Sequence, residues 1–132
     1  MGKQLRHTAK YQKGNIIVET NLSVFLFEED EIFYCYCPPL DLYGYGRSEK
    51  EAKDSFDVNL TEFIKYTQNK NTLTEELQRL GWKVTKEKKR TPHFVAPEFV
   101  DMVRKNKDLN RIMTDIPNVR KYNQSVKLPV YA

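Results

Sequence analysis

Between Asn15 and Phe27 the sequence alternates with a period of two: Ile16, Val18, Leu22, Val24 and Leu26 share one phase, and Glu19, Asn21 and Ser23 the other. A period of two carried by β-branched residues is the pattern of a strand with one buried face, which fixes a β-sheet as the starting point of the fold. It predicts one long strand, or two joined near Thr20-Asn21. The acidic run Glu28-Glu29-Asp30-Glu31 interrupts the alternation, and a second apolar run, Ile32 to Cys37, follows at once. Two such runs about a short polar connector predict a β-hairpin, although the connector lacks the Asn-Gly or Asp-Gly pair that most favours one. Pro38-Pro39 ends the second strand, because proline cannot donate to a ladder. Leu40 to Gly46, with Leu42, Tyr43 and Tyr45, predicts a short third strand.

Ser48 opens the clearest helix. Ser48 and Glu51 have the spacing of a capping box, and Ala52, Phe56, Leu60, Phe63, Ile64 and Thr67 form one apolar stripe behind it. Thr72 with Glu75 predicts a second cap, followed by a short helix with Leu73, Leu77 and Leu80 on one side. Gly81 stands where a left-handed residue terminates such a helix, and Trp82 can fold back on its last turn. Trp82–Lys86 alternates again and is read as a fourth strand. Beyond Glu87-Lys88-Lys89-Arg90, prolines 92, 97 and 117 leave room only for short helices near Glu98–Arg104 and Asp108–Met113, with an extended arm at Val126–Val130. The expected organisation is a basic tail at 1–14, an α/β domain at 15–86 and an irregular, short-helical C-terminal appendage at 91–132. The expected fold class is α+β, an antiparallel sheet of three to four strands packed by one long helix in the order β-β-β-α-[α]-β.

Composition narrows the function classes. The chain has 132 residues, 39% hydrophobic and 30% charged, which suits one globular domain rather than a disordered chain. No apolar stretch reaches the length of a membrane span, and the polar start Met1-Gly2-Lys3-Gln4 has no signal-peptide core, so no membrane association and a cytoplasmic location are expected. Two cysteines, Cys35 and Cys37, make no disulfide framework. Charge is segregated: residues 15–78 carry five Lys/Arg against thirteen Asp/Glu, and residues 79–132 carry thirteen against five. An acidic body suits a basic partner, and basic ends suit nucleic acid or self-association.

The segment Phe33-Tyr-Cys-Tyr-Cys-Pro38-Pro-Leu40, followed by Gly46-Arg-Ser48-Glu-Lys-Glu51-Ala52, resembles the HicB-like antitoxin family. Members of that family show a strand ending in aromatic-x-Pro, then a Leu, a small-residue turn, and Gly-x-Ser/Thr-x-x-Glu-Ala opening a helix. Their usual Pro-Asp-Leu-Pro-Gly turn stands here as Pro38-Pro39-Leu40-Asp41-Leu42, without the second proline or the glycine. The resemblance implies a partial RNase H-like fold and a non-catalytic protein that neutralises a basic HicA-type toxin, an mRNA interferase. Longer members end in a DNA-binding module, and residues 91–132 show no such pattern. The acidic tip Glu28, Glu29, Asp30 and Glu31, with Tyr34 and Tyr36 as aromatic anchors nearby, is the expected partner-binding surface.

Other chemistries find fewer residues. Metal-assisted nuclease work needs converging carboxylates, and the first strand offers only Glu19. Cys35 and Cys37 with His7 or His93 make a poor zinc set and read as small core hydrophobes, so no catalytic, metal or cofactor site is expected. The rival reading is nucleic-acid binding by the basic 83–111 region, with Lys86, Lys88, Lys89 and Arg90 as phosphate contacts. Homo-oligomerisation is expected, and a purely oligomerising structural protein is the third reading.

Overall fold

The computed structural model describes residues 8–12, 15–85 and 93–131. The fold is α+β. The alternating segment is one long strand, β2 (Asn15–Glu29), and it organises the sheet. The strand β1 (Thr8–Gln12) pairs with its first residues, β3 (Ile32–Cys37) with its last five, and β4 (Leu42–Gly46) follows β3. A C-terminal strand, β7 (Arg120–Tyr131), runs along the other side of β2 from Asn15 to Leu26. Every pairing is antiparallel, and the result is a five-stranded sheet.

The β2–β3 hairpin closes through Asp30 and Glu31, both at positive φ (54° and 67°). Two successive left-handed residues match the twist of the flanking strands, so this acidic pair does the work usually given to Asn-Gly. After β3, Pro38–Leu40 forms one 3-10 turn and Asp41 takes a left-handed conformation that starts β4.

The long helix α1 (Glu49–Lys70) begins at Ser48, whose Oγ accepts the Glu51 amide at 3.1 Å. Its stripe lies against the sheet as the spacing predicts: Ala52, Phe56, Leu60 and Thr67 are buried, and Phe63 and Ile64 are half-buried. They meet Val18, Leu22, Val24, Leu26, Cys35, Cys37, Val126 and Leu128 in the main core. A methyl group on Gly44 would stand 2.3 Å from the Phe56 backbone nitrogen and 2.5 Å from the Ala52 carbonyl oxygen, so helix and sheet touch backbone to backbone there. The short helix α2 (Leu73–Arg79) ends as expected: Gly81 has φ +98°, Trp82 N–H reaches the Leu77 carbonyl, and Gly81 N–H the Gln78 carbonyl. Thr72 differs from expectation, because its side chain makes no cap hydrogen bond.

Two expectations are corrected. The segment after Trp82 supplies only β5 (Lys83–Thr85), which pairs with β6 (His93–Val95) in a separate two-stranded sheet. The strand that completes the main sheet is β7. Residues 91–132 are accordingly no appendage: α3 (Phe99–Lys105) and α4 (Lys107–Asp115) cover the sheet face opposite α1, with Leu109 and Ile112 buried among Phe25, Phe27 and Tyr36. The reason lies in the strands themselves. Val24–Phe27 and Cys35–Cys37 are buried at every position, and strands apolar on both faces need a layer on each.

Candidate partner-binding surface

The register of β2, β3 and β4 stacks aromatic residues in two rows on the α3–α4 face. Phe25, Tyr36 and Tyr43 are cross-strand neighbours, and one rung nearer the hairpin tip so are Phe27, Tyr34 and Tyr45. The inner row is buried at Phe25 and Tyr36 and half-buried at Tyr43. Tyr36 is fully buried and stacks on Tyr43 at 4.2 Å between ring centroids. Its hydroxyl donates to Asp41 Oδ1 at 2.8 Å and accepts the Asn106 side-chain amide at 2.5 Å. Burial, with the Asp41 carboxylate alongside, pushes its ionisation well above the usual phenol range. Tyr43 is raised in the same direction by burial and by donating to Asp108 at 3.1 Å. Tyr36 is thus a core residue satisfied on both sides of its hydroxyl, and it drops out of the candidate surface.

The outer row is open. Phe27 is buried and stacks on the half-buried Tyr34 at 5.3 Å; Tyr34 lies 6.4 Å from Tyr45, which is 64% exposed. The sequence reading missed Tyr45. The signal was there: Tyr43 and Tyr45 lie two apart in a strand, so whichever face held one held both, and helices from 99–115 reach only the first.

The acidic tip adjoins this row. Glu28, Asp30 and Glu31 are exposed. Glu29 is partly committed, its carboxylate accepting Arg111 Nη1 of α4 at 2.8 Å. Tip and outer row together present carboxylates beside an exposed ring, an arrangement that attracts cationic side chains by charge and by the face of the aromatic.

The other sequence-stated candidates lie elsewhere. Lys86, Lys88, Lys89 and Arg90 fall outside the described residues, as does His7. Glu19 sits far along β2 from the tip, opposite Lys127. Among the described residues no three His, Cys, Asp or Glu side chains stand together as a metal-binding group. Cys35 and Cys37 are buried free thiols on the α1 face; Cys35 Sγ accepts the Tyr122 hydroxyl at 3.6 Å, and burial pushes the Cys37 thiol up to about 12. A half-open cleft of about 590 Å³ lies at the far end of β3 from the tip, between the α2–β5 turn and the α3–α4 pair. Acids Asp41, Glu98, Asp101 and Asp108 and bases Arg79, Lys83, Lys105 and Lys107 line it in equal number, and no single ligand charge is favoured.

Comparison with protein-family models, with curated proteins and with solved structures finds no match for this chain.

Proposed function

We propose that this protein is a HicB-like antitoxin, acting in the cytoplasm by binding a small basic HicA-type toxin rather than by catalysis. The observation that carries the reading is the half-buried Tyr34 and the exposed Tyr45 beside the acidic residues Glu28, Asp30 and Glu31. A buried or half-buried ring flanked by solvated charge is how protein interfaces are commonly built, with the ring supplying affinity and the charge supplying encounter rate and orientation. The segment that carries the family resemblance supports it further. Pro38 ends β3, Ser48 caps α1, Ala52 is fully buried against the sheet, and Gly44 and Gly46 lie too close to α1 for a side chain. These are the jobs the motif's residues would need to perform.

The test is co-expression of the chain with a small basic HicA-type toxin. Co-purification as one complex, and relief of the growth arrest that the basic protein causes alone, are the expected results. Failure of both would end the antitoxin reading.

A nucleic-acid reading has one observation of its own. Arg104, Lys105 and Lys107 are exposed at the junction of α3 and α4, next to the half-buried Asn106. A duplex-binding assay distinguishes it: affinity falling steeply with salt would locate phosphate contacts on this chain, and charge reversal at Arg104 and Lys107 would then weaken binding.

A further inference from the structure

The outer edges of β4 and β7 in the main sheet are treated differently. On β4 the edge is closed by α1: Asn59 Nδ2 donates to the Tyr43 carbonyl at 2.6 Å, and Ser55 Oγ accepts the Tyr45 amide at 3.2 Å. On β7 no described element pairs with the outer edge, and the strand is 12 residues long. A strand of that length with unpaired backbone groups is a template for another strand. Pro129 indicates which groups are open. It stands opposite Ile17, and a proline inside a ladder is tolerated where its nitrogen points away from the paired strand. By alternation, Lys127, Ser125, Asn123 and Lys121 then direct their amides and carbonyls outward as well. The side chains of all four are exposed.

We propose that two copies of this chain associate through β7, paired antiparallel about Ser125. The strand is complementary to itself in that register. Ser125 faces Ser125 and Lys127 faces Asn123 of the second copy, and the ladder ends there, because Pro129, opposite Lys121, has no N–H to donate; no two cations stand opposite each other. Arg120, the remaining cation, is already ion-paired with Glu49 at the start of α1. Moving the centre by one residue to Gln124 sets Lys121 against Lys127 twice, and like charges directly opposite are unfavourable. On the α1 face the register brings Tyr122 opposite Leu128. Leu128 is buried in the main core and Tyr122 packs against it, so that core continues across the junction. Two five-stranded sheets become one, and the long open edge disappears.

This association needs no toxin and stands or falls separately from the antitoxin reading. Its test is sedimentation equilibrium of the purified chain with Ser125→Lys and Ser125→Glu variants, their folds checked by far-ultraviolet circular dichroism. The wild type is expected to be a dimer. Each variant alone places like charges on the two-fold axis and should raise the dimer dissociation constant about tenfold or more, whereas an equimolar mixture of the two should restore association. Ser125→Cys should cross-link between copies under mild oxidation, because Cys35 and Cys37 are buried. A wild type that stays monomeric at every concentration overturns the proposal. So does a dimer that both charge variants leave intact, or a monomer that binds an extended acidic peptide along β7 instead.

Discussion

The side-chain amide of Asn106 donates to the Tyr36 hydroxyl at 2.5 Å, joining residues seventy positions apart. Asn106 performs a second task at the same time, because its Oδ1 accepts the Leu109 amide at 3.1 Å and so caps α4. One residue therefore starts the helix and fastens it to the sheet. Asn106→Ala should lose about 1 kcal/mol for the cap and about 0.5–1.5 kcal/mol for the lost hydrogen bond to the Tyr36 hydroxyl, which keeps its bond to Asp41. Asn106→Asp keeps the cap acceptor but removes the donor and sets a carboxylate against Tyr36 and Asp41, so it should recover only part of the loss. Chemical denaturation of the three proteins measures this. Equal stability of Asn106→Asp and wild type would mean that the Tyr36 contact contributes nothing.

Stability should also fall on the alkaline side. Burial raises the folded-state ionisation of Cys37 from 9.0 to about 12, and that of Tyr36, Tyr43 and Tyr122 from 10.0 upward. A raised pKa means the folded chain holds protons that the unfolded chain has released. Stability is then intact below the unfolded value of 9.0 for the thiol and 10.0 for the phenols, and is lost as pH climbs toward the folded values. A urea midpoint that is level to about pH 8.5 and drops steadily above pH 9 is expected. Cys37→Ala should flatten the first part of the drop. A midpoint independent of pH up to 11 would contradict the burial of these groups.

The first half of the chain was readable because each of its elements is specified locally. The alternation of Val18, Leu22, Val24 and Leu26 marks the face of β2 under α1, and Ser48 with the Ala52–Thr67 stripe marks the helix that covers it. The short helices of the second half were also visible near their true positions. Their destination was not, because a seven-residue helix such as α3 with no buried residue carries almost no pattern of its own. What located α3 and α4 is a property of other residues: the rings of Phe25, Phe27 and Tyr36 on the face opposite α1. The same oversight misassigned Tyr36 to a binding surface. Alternation stops at Val24, and a run apolar at consecutive positions signals burial on both faces. The strand expected after Trp82 is present, but its place outside the main sheet has a different cause. Lys83–Thr85 alternates correctly, but three residues do not compete with the 12-residue β7 for the edge of β2.

The placement of β7 makes a truncation informative. Removing residues 91–132 takes away the strand paired with β2 from Asn15 to Leu26, together with Leu109 and Ile112 over the second aromatic face. Phe25, Phe27 and Tyr36, all less than 7% exposed, would face water. Burying three such side chains is worth about 1.5–3 kcal/mol each, comparable in sum to the whole stability of a small domain. The 1–90 fragment should bind a hydrophobic dye and lack a cooperative thermal transition. A fragment that melts cooperatively near the full-length midpoint would restore the C-terminal segment to the status of an appendage.

The surface prediction separates ring from charge by kinetics. If the outer row is the anchor for a basic partner, Tyr45→Ala should chiefly raise the dissociation rate, by about tenfold or more for a loss above 1.4 kcal/mol. Stability should change little, since the ring is 64% exposed. Glu28 and Glu31 are exposed, one near the end of β2 and the other in the turn; reversing both to Lys should slow association and reduce its salt dependence while leaving dissociation nearly as it was. Glu29 is the internal control. It is tied to Arg111, so Glu29→Gln removes a charge already partly balanced and should slow association less than the reversal of Glu28 and Glu31. Tyr36→Phe supplies the opposite control, destabilising the fold through its unpaired neighbours while leaving the exposed row in place. Surface plasmon resonance with the toxin candidate immobilised reads both rates. Should Tyr45→Ala leave dissociation unchanged while the charge reversal abolishes binding, the contact is electrostatic alone and the aromatic row is not its anchor.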